Sequence, residues 1–136
     1  MSSSPKSAIG SNIALLAQAG GAILGGVLLA VASYLGVSLL FGGADLGMGL
    51  LGLQVYGSVL GFGVGAGLGA ALGSRLSGRQ GRPILAVLGS LGGGVLVVIA
   101  TRFGPVRLDL VAGVPAVAAI LSVIGAVVGN NLRLRR

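Results

Sequence analysis

The sequence predicts an all-α membrane protein of four transmembrane helices packed through glycine-rich faces. Three observations carry that reading. Charged residues make up 8% of the 136 residues and hydrophobic ones 54%, whereas a soluble domain needs about 25% charged residues to solvate its surface. Four long stretches carry no charge at all, each within or above the range that crosses a bilayer, roughly 17–25 residues. The chain also holds 28 glycines, most of them inside those stretches. The mean hydropathy of +1.06 agrees.

The elements follow in order. Residues 1–12 (MSSSPKSAIGSN) are small, polar and turn-prone, and are expected to form a flexible cytoplasmic N-terminus. The transmembrane domain covers 13–129, with spans at about 13–34, 54–74, 84–101 and 110–129. The first uncharged run extends from Ile13 to Phe41, and Gly42 to Asp45 break it, with Asp45 placed to cap the next helix. Residues 35–53, between Tyr34 and Tyr56, form either two helix extensions or a shallow re-entrant hairpin. The loop Arg75 to Pro83 is the one dense polar segment, and Pro83 suits the first turn of the third span. A short connection from Arg102 to Asp109 leads to the fourth span, and residues 130–136 form a cationic cytoplasmic tail. Lys6, the apolar run and Ala30-Val31-Ala32 resemble a secretory signal, but the run continues past that triplet and reads as a span.

Charge sets the orientation. Seven cations (Lys6, Arg75, Arg79, Arg82, Arg133, Arg135 and Arg136) fall on one side of a four-span chain, against Arg102 and Arg107 on the other. Positive short loops stay cytoplasmic, so both termini are expected inside, forming with the 75–83 loop a cationic rim that meets anionic lipid headgroups. The leucine, alanine, glycine and arginine bias points to a bacterial cytoplasmic membrane. The net charge of +7 does not indicate nucleic acid, because the basic residues form short clusters without interleaved aromatics.

The glycines are the informative feature. Gly57, Gly61, Gly65, Gly69 and Gly73 recur every four residues in the second span, so they share one helix face. Gly21 with Gly25, Gly89 with Gly93, and Gly125 with Gly129 make shorter versions. Glycine costs about 1 kcal/mol relative to alanine in a helix interior, and lipid gives helices no hydrophobic reason to associate. A ridge of this kind needs another helix lying in it, from the same chain or from a second one. The sequence leaves both open.

The string Gly61-Phe-Gly63-Val-Gly65-Ala-Gly67-Leu-Gly69, followed by a loop with Arg79-Gln80 and then Pro83, resembles the inner helix and polar loop of rotary ATP synthase ring subunits. That resemblance implies close packing into a homo-oligomer and a carboxylate midway along the next helix. Leu91 to Thr101 contains no acid, so ion translocation of that kind is excluded.

Other chemistry has little to work with. The chain lacks His, Cys and Glu and has two Asp, so no metal site, cofactor or activated nucleophile is expected, and the protein is read as not an enzyme. Gln18 and Gln54 are the largest polar groups inside the spans, and interhelical hydrogen bonding accounts for them. The expected function is that of a structural, assembly or accessory membrane subunit, either homo-oligomeric or joined to other membrane chains. A small homo-oligomeric, holin-like channel is the alternative.

Overall fold

The computed structural model describes residues 5–43, 47–78, 81–103 and 113–132. They form four helices: α1 (Pro5–Phe41), α2 (Met48–Leu76), α3 (Pro83–Phe103) and α4 (Gly113–Asn131). All four are long and apolar enough to cross a membrane. Inside a bilayer every backbone N–H and C=O must be paired within the protein, and a continuous helix does this segment by segment. Large apolar side chains such as Leu24, Leu28, Leu72, Leu96 and Ile120 are exposed around the outside, as lipid-facing surface requires.

Consecutive helices run antiparallel. α1 packs along α2 and α3 along α4, and α2 joins the two hairpins by touching both α3 and α4. α1 meets α4 only lightly. α2 is therefore the central helix, with ten buried residues from Val59 to Ser74. The middle of the bundle is closed by Ala22, Ala66, Ala70 and Ala126, all fully buried, with Phe62 and Val123 against them. A second cluster of Val59, Val97, Val114 and Ala118 lies nearer the α3–α4 connection.

Several boundaries differ from those read in the sequence. Helix α1 begins at Pro5, within the segment expected to be flexible. Proline is well placed in a first helical turn, where its missing N–H would be unpaired anyway. The described residues of the 35–53 stretch take the helix-extension form. α1 continues unbroken to Phe41, where the Gly42 N–H donates to the Ser38 carbonyl at 2.8 Å, and α2 starts at Met48. Asp45 lies outside the described residues, and the residue preceding α2 is Gly47 with φ 49°, a left-handed conformation that glycine adopts freely. α3 does start at Pro83. α4 begins at Gly113, the expected start at 110 lying outside the described residues, and it continues to Asn131. The first two residues of the expected tail thus belong to its last turn.

At 37 residues α1 is about 55 Å long, well beyond the ~30 Å hydrocarbon core. The excess lies partly at its far end, where α1 and α2 extend together as a hairpin tip carrying Leu39, Leu40 and Met48 in exposed positions.

Replacing Ala70, at the fully buried bundle centre, by Leu is expected to cost about 1–3 kcal/mol through overpacking. The exposed Leu72→Ala should cost far less. Thermal unfolding in mild detergent separates the two.

Candidate functional site

The seam between α1 and α2 is built from backbone. A Cβ placed on Gly69 would strike the Gly21 carbonyl oxygen, and one placed on Gly21 would strike the Gly69 carbonyl. Gly25 and Gly65 are related in the same reciprocal way, and Gly73 lies on the Ala17 carbonyl. A Cβ on Gly61 would lie 2.7 Å from the Leu29 carbonyl oxygen and would also strike the Ser33 hydroxyl. Gly57 is looser, its Cβ position 3.4 Å from Val37 Cγ2. α1 of the same chain thus occupies the α2 ridge.

The alternation of glycine in this helix has a direct cause. At 3.6 residues per turn, positions two apart lie on nearly opposite sides of a helix. Gly61, Gly65 and Gly69 therefore turn toward α1, and Gly63 and Gly67 turn toward α3. A Cβ on Gly67 would lie 2.5 Å from Val87 Cα, and one on Gly63 would lie 3.1 Å from Leu91 Cδ2. A G-x-G-x-G string is what a helix needs when close neighbours flank it on both sides.

The α3–α4 seam follows the α1–α2 pattern. Gly89 and Gly125 oppose each other's carbonyls, Gly93 lies 2.5 Å from the Leu121 carbonyl oxygen by the same measure, and Gly129 lies on the Leu85 carbonyl. The sequences match in the same register. Residues 21–29 (GAILGGVLL) and 89–97 (GSLGGGVLV) agree at five of nine positions, and 69–76 (GAALGSRL) and 125–132 (GAVVGNNL) at four of eight. The two hairpins thus repeat the same glycine register, and α1 and α3 run in the same direction.

Polar side chains concentrate at a few levels. Near the hairpin tip, Gln54 Nε2 donates to Ser38 Oγ at 2.9 Å, joining α2 to α1. At mid-depth the Ser90 hydroxyl donates to the Gly63 carbonyl at 2.7 Å, joining α3 to α2, while the buried Ser122 hydroxyl has no partner among the described residues. At the opposite end, where α1 and α3 begin and α2 and α4 finish, Asn131 Nδ2 donates to Gln18 Oε1 at 2.7 Å across the α1–α4 seam. Gln18 is fully buried and Asn130 is 5% exposed. Gln18 Nε2 and both amide atoms of Asn130 lack a partner among the described residues. Ser74 is buried at the same end, in the repeat position that corresponds to Asn130.

Arg75 and Arg82 are exposed at this polar end. Arg79, Arg133, Arg135 and Arg136 lie outside the described residues. No group of three metal-ligating side chains occurs among the described residues. Asn130 and Asn131 were missed as site residues because they read as the start of a tail. The alignment of GAVVGNNL with GAALGSRL would have placed them in a helix beside Ser74.

These features define a class, an all-α chain with four helices able to cross a membrane. Comparison with protein-family models, with curated proteins and with solved structures finds no match.

The glycines divide into two kinds that alanine substitution separates. A Cβ on Gly69 meets backbone, whereas one on Gly20 meets nothing within 4 Å. Gly69→Ala should lower the thermal midpoint, and Gly20→Ala should be neutral or stabilising by up to about 1 kcal/mol.

Proposed function

We propose that this chain is a non-catalytic polytopic subunit of the bacterial cytoplasmic membrane that folds and assembles through glycine-lined helix faces. Close backbone approach replaces the hydrophobic drive that lipid does not supply. The reciprocal contacts of Gly21 with Gly69 and Gly25 with Gly65 support glycine as the means of folding. Assembly is supported by a different set. Gly36 sits in α1 with nothing within 4 Å of its Cβ position, so its cost of about 1 kcal/mol is not offset by a helix of this chain. It lines an open groove of about 530 Å³ between α1 and α2, with Ser33, Val37, Gly57 and Leu60. A helix of a second copy, or of another membrane subunit, is the occupant whose backbone such a groove admits.

The channel alternative places its pore between copies, since alanines fill the centre of one bundle. Both termini and the α2–α3 turn face the cytoplasm in this proposal, on the charge distribution of seven cations against two.

Two experiments test the reading. Native mass spectrometry of the chain extracted in mild detergent from its own membranes should give a complex heavier than the 13.1 kDa chain. Gly36→Leu, at a position whose Cβ would meet nothing within 4 Å, should reduce it to the single chain. A monomeric wild type, or a complex indifferent to Gly36→Leu, would remove the assembly claim. For orientation, the absence of cysteine gives a clean background. Ser77→Cys should react with an impermeant maleimide only in inverted vesicles, and Gly43→Cys only in intact cells; the reverse pattern would invert the topology.

A further inference from the structure

The two hairpins differ in height. Their apolar spans are Asn12–Phe41 (30 residues) and Met48–Leu76 (29 residues) in the first, against Pro83–Thr101 and Gly113–Asn131 (19 residues each) in the second. Contacts fix how the two stand against each other. Gly65 faces Gly25 and Gly69 faces Gly21, so Gly67 stands at the level of Ile23. Val87 of α3 lies on Gly67. Since α1 and α3 run in the same direction, Phe103 is as far beyond Val87 as Leu39 is beyond Ile23, and the two share one level. By the same count α3 opens at Pro83 on the level of Ala19, and its last residue before Arg102, Thr101, reaches the level of Val37.

α1 and α2 therefore overhang α3 at both ends. Beyond Val37, α1 runs on without a charge to Phe41, about 6 Å further along the axis. Before Ala19, α1 is free of charge back to Ile13, and its neighbour α2 stays so to Ser74. Tilting cannot level the two hairpins. α2 keeps to α3 from Gly67 on Val87 to Val59 in one cluster with Val97, so a tilt shortens both together. The overhangs are apolar on every open side. Leu39, Leu40 and Phe41 are consecutive and exposed, as are Leu15 and Leu16 at the other end, and three consecutive residues sweep more than half of a helix's circumference. A docking face for a protein would be one-sided and edged by polar groups. Apolar surface that opens in all directions suits a surrounding solvent, which here is acyl chain.

We propose that the chain carries a stepped lipid belt and imposes that step on the bilayer. Acyl chains cover the α1–α2 hairpin out to Leu39, Leu40 and Met48, whereas beside α3 they end at the level of Thr101. Counting the overhang at both ends, the hydrocarbon is thicker beside the first hairpin by about 10 Å. A bilayer meets a longer span by thickening locally, at a free-energy cost that sorts proteins by membrane thickness. A belt of two heights is accommodated best where thicker and thinner bilayer adjoin, so the partner that this surface selects is a lipid boundary. The proposal rests on the membrane reading of the four helices and is independent of assembly through the Gly36 groove.

The chain has no tryptophan, so single tryptophans report depth without background. Leu39 and Phe103 make a matched pair, at one level and 86% and 84% exposed, and the exposed Leu28 stands at the middle of α3. The full-length variants Leu28→Trp, Leu39→Trp and Phe103→Trp are placed in vesicles of dioleoylphosphatidylcholine containing its acyl-dibrominated form. Leu28→Trp and Leu39→Trp should be quenched by the bromolipid several-fold more than Phe103→Trp, and aqueous acrylamide should quench Phe103→Trp most. Leu40→Trp replaces Leu39→Trp if circular dichroism shows lost helix. Equal quenching of Leu39→Trp and Phe103→Trp would mean a level belt and overturn the step. So would a Leu39→Trp open to acrylamide, which places the tip in water, or one shielded from both quenchers, which means that protein covers it. Absence of bromolipid quenching at Leu28→Trp would remove the membrane reading itself, an outcome distinct from failure at Leu39 alone.

Discussion

A helix in lipid gains no apolar burial by meeting another helix, because acyl chains already cover it as well as leucine would. What remains is the distance at which two backbones can stand, since dispersion attraction falls steeply once a gap opens. Along α1 and α2 that distance is set at Gly21, Gly25, Gly65 and Gly69, where any side chain would collide with a carbonyl of the opposing helix. The position of α2 then fixes the rest. Its other flank carries Gly63 and Gly67 against α3, and its alanines Ala66 and Ala70 meet Ala126 of α4. The helix with the most glycines is one that all the others touch.

The helical architecture was legible because lipid imposes one rule on the whole chain: no charge and no unpaired backbone within the spans. Charge-free runs, the first ended by Gly42-Gly43 and the third opened by Pro83, therefore located the elements closely. Exact ends were less legible. In MSSSPKSAIGSN, Pro5 suits a first helical turn, but the small polar residues around it suit a loop equally well. Asn130 illustrates a second limit. A polar residue after a span reads as tail, and only packing against Gly81 shows it turned into the bundle. Which helix would lie on which glycine was also beyond a single sequence, since a face defined by absent side chains names no partner.

The repeat shows how one packing scheme yields two different seams. Both hairpins keep glycine at the positions where their own two helices approach most closely. They differ where one hairpin meets the other. Gly63 and Gly67 on α2 correspond to Ala119 and Val123 on α4, and Phe62 corresponds to Ala118. The closed α2–α3 seam has bare glycine at these two positions, and the open α1–α4 seam has side chains there. Phe62 adds to the asymmetry, since its ring lies 2.7 Å from where a Cβ on Gly26 would stand, so Gly26 must stay bare to admit it.

The polar end gives the last step. In the repeat, Gln18 aligns with Ala86, and both positions are completely buried. Alanine demonstrates that the fold is satisfied there by a small apolar group. Glutamine at the equivalent site adds what alanine lacks, an acceptor for Asn131 across the α1–α4 seam. It introduces two hydrogen-bonding groups into a place where an unpaired amide costs on the order of 1–3 kcal/mol, and among the described residues only its oxygen is paired, to Asn131. Asn130 stands in for Ser74 in the same direction, exchanging a hydroxyl for a larger amide. Both departures fall on helices that border the open seam. Polar contacts thus cross both seams of the duplicated frame, Ser90 to the Gly63 carbonyl on one and Asn131 to Gln18 on the other, and the two seams differ in the bulk of the polar group and not in its presence.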